Sequence, residues 1–203
     1  MTIATAKRFT LAEYHRLTEI GFFTEDDRIE LIRGEIIQMA AKGTAHELCL
    51  TRLNRELINL LGDRAILRVQ SPIVLPSGSE PEPDFTIVQN RDDDYLSSHP
   101  GPAEVLLVIE IADSSLSYDR EVKLPVYAES GISDYWLFNL PENCLEAYSQ
   151  PYHNLPVSFG YSLKRIVLPN QALAQRLCKS IDIPCFPNLS LDLAKIFPGQ
   201  MKV

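Results

Sequence analysis

The chain has 203 residues, 45% of them hydrophobic, and a formal net charge of −8; this is enough apolar material for one globular core. No run reaches the roughly 18 consecutive apolar residues of a membrane helix, and four cysteines without a CxxC pair beside four scattered histidines argue against a zinc site of standard spacing. The opening MTIATAKRFT has no apolar secretion core, so the expectation is a cytoplasmic protein with reduced thiols and no membrane partner.

In chain order, Thr10 and Glu13 form a capping box that predicts a helix over about 11–20, with Gly21 as its stop. RIELIRGEIIQM, residues 28–39, reads as a hairpin turning at Arg33-Gly34. Thr44 and Glu47 form a second capping box, opening a helix to about Gly62 whose Leu50, Leu53, Leu57 and Leu61 share one face. Residues 66–75 and 84–89 read as strands around a turn at 76–81, and 91–102 reads as a polar loop. VLLVIEIA, 105–112, is a strand buried on both faces. A helix follows over about 118–129, kinked or shortened by Pro125. Residues 134–140 and 144–150 form a hairpin, strands continue over 159–168, and FPNLSLDLAKIF reads as a short strand and a last turn. The order predicts an α/β fold with a mixed sheet flanked by helices. The whole chain, 1–203, is expected to form one domain: an N-terminal helix and hairpin (1–43), a core (44–140), and C-terminal strands with a tail (141–203).

Residues 71–160 carry three basic side chains (Arg91, Arg120, Lys123) against fifteen acidic ones, a balance of −12. Such a field repels phosphate but collects divalent cations. Within it, Glu110 interrupts an apolar strand, where an unpaired carboxylate is costly to bury. Adjacent strands would bring Asp84 beside it. Two readings follow from the residues. Either Asp84 and Glu110 share a hard divalent cation, or Lys123 or Arg120 pairs with Glu110 structurally. Trp136 and the aromatic residues over 135–161 read as core.

Pro83-Asp84 followed by a strand carrying Glu110 resembles the PD-(D/E)xK nuclease pattern. RIELIRGEIIQM, TAHELC, PEPDFTIV, VLLVIEIADSS and DREVKLPVYAESGISDYWLF, in this order, are similar to one branch of it, the large bacterial family of restriction-endonuclease-like proteins of unknown function. The resemblance implies a restriction-endonuclease-like core and a metal, Mg²⁺ or Mn²⁺, held by Asp84, Glu110 and the backbone carbonyl of Ile111. It implies DNA as substrate, a homodimer to cut two strands, and catalytic roles for Asp84, Glu110, Lys123 and Glu30. The motif's usual lysine position holds Ala112, so the resemblance moves that amine to Lys123 on the next helix. Glu30 resembles the family's early acidic position, with a hairpin ion pair as its other reading. His46 matches a histidine often found at that helix start, and reads as capping or packing. The implied activity is Mg²⁺-dependent hydrolysis of DNA phosphodiester bonds. The alternative is a non-catalytic metal-binding or regulatory module on the same scaffold.

Overall fold

The computed structural model describes residues 5–24, 27–154, 158–169 and 180–197. Helix α1 (Leu11–Glu19) begins as the capping box requires: the Glu13 N–H donates to Thr10 Oγ1, and the Thr10 N–H donates back to Glu13 Oε2. Strands β1 (Ile29–Ile32) and β2 (Glu35–Gln38) close over a two-residue turn in which Arg33 and Gly34 both have positive φ. Glycine is needed at 34, where φ is +77° and an added Cβ would lie 2.8 Å from the Phe9 carbonyl oxygen.

Helix α2 (Thr44–Leu61) buries Cys49, Leu53, Leu57 and Leu61 on one face, each leucine stabilising the fold by about 1.5–3 kcal/mol. Its start corrects the sequence reading: Gly43 is the N-cap, in an extended conformation, and no side chain caps the first turn. Thr44 already lies inside the helix, so its hydroxyl is not placed to cap it.

Strands β3 (Ile66–Val69), β4 (Phe85–Val88), β5 (Val105–Ala112), β6 (Asp134–Asn139), β7 (Cys144–Asn154) and β8 (Ser158–Val167) form one six-stranded sheet in that order. Its neighbours are antiparallel except β5 and β6, which are parallel. The predicted strand over 66–75 is thus much shorter. It breaks at Gln70, which takes φ +45° and turns its N–H to the Asp84 carbonyl at 3.0 Å.

The parallel pair needs a crossover, and residues 116–129 supply it: α3 (Leu116–Tyr118), a π-helical turn (Asp119–Lys123) and α4 (Leu124–Glu129). Pro125 neither kinks nor shortens a regular helix. It follows a widened turn in which the Leu124 N–H reaches the Asp119 carbonyl, one residue further than in an α-helix. The crossover packs Val126 and Tyr127 on one sheet face, with Val108, Tyr135, Leu137 and Tyr148. On the other face α2 joins Phe85, Ile87, Leu107, Ile109, Ile111, Trp136 and Phe138. The tail hairpin, β9 (Ser180–Ile183) and β10 (Phe186–Asp192), adds Ile181, Ile183 and Leu191 to that second layer. Cys178 lies outside the described residues. No helix among the described residues is long and apolar enough to cross a membrane.

Candidate active site

Strand register brings the two acids together. Phe85 pairs with Ile109 and Thr86 with Val108, so one further step sets Asp84 opposite Glu110. Side chains alternate along a strand. Ile109 and Ile111 therefore face α2, while Val108 and Glu110 face the crossover, and Asp84 shares its parity with Thr86. The Asp84 N–H donates to Glu110 Oε2 at 3.4 Å, and the Ile111 N–H donates to Asp84 Oδ2 at 2.9 Å. The N–H and carbonyl of a strand residue point to the same edge, so the Ile111 carbonyl is on the edge that faces Asp84.

The crossover supplies donors to Glu110. Lys123 Nζ lies 2.9 Å from Glu110 Oε1, and the Tyr127 hydroxyl donates to the same oxygen at 2.7 Å. Lys123 also reaches Glu30 Oε2 at 3.2 Å. Glu30, on β1, accepts the Tyr118 hydroxyl at 3.2 Å and the Glu82 N–H at 3.3 Å. The hairpin is held there by Leu31 and Glu80, which exchange backbone hydrogen bonds. Asp84, Glu110, Lys123, Glu30 and Ile111 therefore converge at one place. So does Asp119, buried on the π turn and bonded by Ser115 Oγ at 2.6 Å.

Four further residues join them. His46 Nε2 lies 3.0 Å from Asp84 Oδ2, which corrects its reading as a capping or packing residue. Gln70 Nε2 donates to Asp84 Oδ1 at 3.2 Å, and Lys42 Nζ is 3.9 Å from the same oxygen. Glu82 lines the cavity two residues before Asp84. The sequence carries a signal only for His46 and Glu82, through their places beside the quoted motifs. Gln70 and Lys42 belong to a strand break and a strand-to-helix link that no periodicity marks.

Burial drives the Glu110 carboxyl up to about 8, with Lys123 opposing and Asp119, Asp84 and Glu30 adding to the rise. Burial likewise lifts Asp119 to about 6, against Lys123 and the Ser115 hydroxyl. Asp84 behaves differently. Burial pushes it up, but the His46 hydrogen bond and charge and the Ile111 N–H outweigh this and hold it below the ordinary range. Burial alone would lower Lys123, yet Glu110, Glu30 and Asp119 hold it well above its ordinary value. One ammonium thus serves three buried acids.

The group lines a cavity of about 300 Å³. Six acidic residues (Glu30, Glu82, Asp84, Glu110, Asp113, Asp119) line it, with Lys42, Lys123 and Arg28 as its cationic side chains. Hard oxygen donors in excess over cations match what Mg²⁺ or Mn²⁺ requires, so the residues present fit a divalent ion. A second cluster, Glu142, Cys144 and Glu146, brings possible ligand atoms within 4.8 Å of one another. It does not fit one: the Glu146 carboxylate already accepts from Arg120, Lys164, Tyr148 and Asn139.

The family model "Uma2: Putative restriction endonuclease" matches residues 11–178. The chain belongs to this family. The chain is also similar to a solved structure described as a putative nuclease belonging to DUF820 from Anabaena variabilis ATCC 29413, with 14% identity, a TM-score of 0.67, and coverage of 93% of this chain and 97% of that one. At that identity the likeness establishes the nuclease-like fold. No curated protein matches the chain. The family match spans every site residue named above, from Arg28 on β1's approach to Tyr127 in the crossover.

Proposed function

We propose that the chain is a Mg²⁺- or Mn²⁺-dependent endonuclease that hydrolyses DNA phosphodiester bonds, with Asp84, Glu110 and the Ile111 carbonyl as the metal-holding set. The observation that carries this reading is the convergence of Asp84 and Glu110 across neighbouring strands at a cavity, with Lys123 on Glu110. A bound divalent ion supplies Lewis acidity, making water a better nucleophile near neutral pH and drawing off charge from the phosphate. In the hydrolysis, water oxygen bonds to phosphorus, one P–O ester bond breaks, and the departing alkoxide takes up a proton.

The chain's own residues prepare that step. Asp84 stays ionised and offers a fixed hard oxygen, oriented by His46, Gln70 and the Ile111 N–H. Glu110 holds a proton up to about pH 8, so it gives up that proton when a cation takes its place. Lys123 fixes the rotamers of Glu110 and Glu30 and adds positive charge beside them. Glu30 ties the hairpin to the site and completes the acidic wall. We further expect a homodimer, which light scattering sizes.

The test is cleavage of plasmid and oligonucleotide DNA with Mg²⁺ or Mn²⁺ by wild type and by Asp84→Asn, both checked for an unchanged fold. Cleavage lost in the variant supports the reading. Equal cleavage by both, or none by either, sinks it. One observation favours a non-catalytic module instead: Lys123 already occupies the Glu110 and Glu30 carboxyl groups, at 2.9 Å and 3.2 Å. Calorimetry that finds no uptake of Mg²⁺ or Mn²⁺ favours that module in its regulatory form.

A further inference from the structure

We propose that Lys42, together with Arg28, is the phosphate-binding edge of this site, and that Lys123 is a positioning residue that does not meet the substrate. This rests on the nuclease reading and assigns which cations touch the DNA strand. Lys123 is poorly placed for that task. Its side chain is 6% exposed and lies 2.9 Å and 3.2 Å from two carboxylates, Glu110 and Glu30. A phosphate approaching it must pass those acids.

Lys42 is placed otherwise. It lies on the link between β2 and α2, its side chain is 18% exposed, and its ion pair to Asp84 is loose at 3.9 Å. Both Lys42 and Arg28 line the cavity. Arg28 braces the same link. Its Nη1 donates to the Ala40 carbonyl at 3.1 Å, and its carbonyl accepts the Met39 N–H at 2.8 Å. Burial depresses the Lys42 ammonium; Asp84 opposes this and the Arg28 charge adds to it. Two like charges lining one cavity with six acidic residues gain from an anion that spans them. A phosphodiester backbone is such an anion, and the two cations offset the repulsion that the acidic walls present to it.

The experiment is fluorescence anisotropy of a labelled DNA duplex in Ca²⁺ across a salt series, using wild type, Lys42→Ala, Lys42→Arg, Arg28→Ala and the distant control Lys195→Ala. Mn²⁺ calorimetry on the same proteins accompanies it. Each lost phosphate contact flattens the slope of log affinity against log salt by about 0.9. Lys42→Ala and Arg28→Ala are expected to show that change with several-fold weaker DNA binding. Lys42→Arg and Lys195→Ala are expected to keep the wild-type slope. Mn²⁺ affinity in Lys42→Ala is expected to stay the same or tighten, because a cation beside Asp84 has gone. Wild-type slopes in both alanine variants overturn the assignment while leaving the nuclease reading intact. Loss of Mn²⁺ and DNA binding together also overturns it, since that marks a structural role. A wild type that does not bind DNA at all removes both readings.

Discussion

His46 and Asp84 meet across 38 residues of chain: Nε2 lies 3.0 Å from Oδ2, an oxygen that also accepts the Ile111 N–H. The other ring nitrogen, Nδ1, is buried without a partner among the described residues. With Asp84 held ionised, Nε2 is the ring nitrogen that donates to it. The first turn of α2 thus orients the acid at the start of β4. A partner of this kind to a ligating carboxylate is typically worth 10–100-fold in metal affinity. His46→Ala is expected to weaken Mn²⁺ binding by about that range, read by calorimetry, with a small change in melting temperature. An unchanged affinity would show that Asp84 needs no such support.

Metal binding and fold stability should oppose each other at Glu110. In EDTA near pH 8, Glu110→Gln is expected to melt no lower than wild type. The amide still accepts from Tyr127 and Lys123 and relieves the crowding with Asp84, Asp119 and Glu30. Wild type is expected to gain melting temperature in millimolar Mn²⁺ by mass action on the folded state, and Glu110→Gln is not. An equal gain in both would place the ion elsewhere.

The pH dependence follows from the same acids. Glu110 and Asp119 titrate at about 8 and about 6 in the folded chain, against 4.5 and 3.8 ordinarily. As pH rises from about 4 to about 8, the unfolded chain has released protons that the folded chain still holds. Stability in EDTA therefore falls across that window and levels off above it. Glu146 acts at the acid end. Burial opposes it, but Arg120, Lys164, Tyr148 and Asn139 lower it to about 2, so its contribution is lost as pH falls from about 4.5 through 2. Melting curves in EDTA should peak near pH 4–5, and saturating Mn²⁺ should flatten the decline toward pH 8. A curve that rises steadily to pH 8 in EDTA would contradict the site's electrostatics.

Glu146 also tests the scaffold. It is fully buried on β7 and joins Arg120 of the π turn to Lys164 of β8. Glu146→Gln removes the buried counter-charge of both cations and leaves Arg120 its pair with Glu142 at 3.2 Å. Because they are partly exposed, the expected loss is about 2 kcal/mol, below the 3–5 of a wholly buried pair, measured by urea denaturation. A neutral result would mean the cluster holds nothing in place.

The strands carrying Asp84 and Glu110 were legible because their apolar runs, turns and spacing leave one sensible pairing. Both readings of Glu110 were visible in the residues, and the structure realises the Lys123 pair in a setting that suits an ion as well. What the sequence hid was backbone irregularity. Gln70 leaves the strand with φ +45°, Gly43 rather than Thr44 starts α2, and the crossover widens into a π turn before Pro125. Each departure is fixed by tertiary hydrogen bonds or packing, which no local propensity encodes. His46 was misjudged for the same reason: its partner lies 38 residues away.

The lone parallel pairing of the sheet has a further implication for how such proteins diversify. The segment that must bridge β5 and β6 is the one that carries Lys123 to Glu110 and Glu30, so connector and positioning cation are inherited together. A chimera that borrows this bridge from a distant relative exchanges both at once. An amine returned to position 112 would instead sit on the strand itself and leave the bridge free to vary.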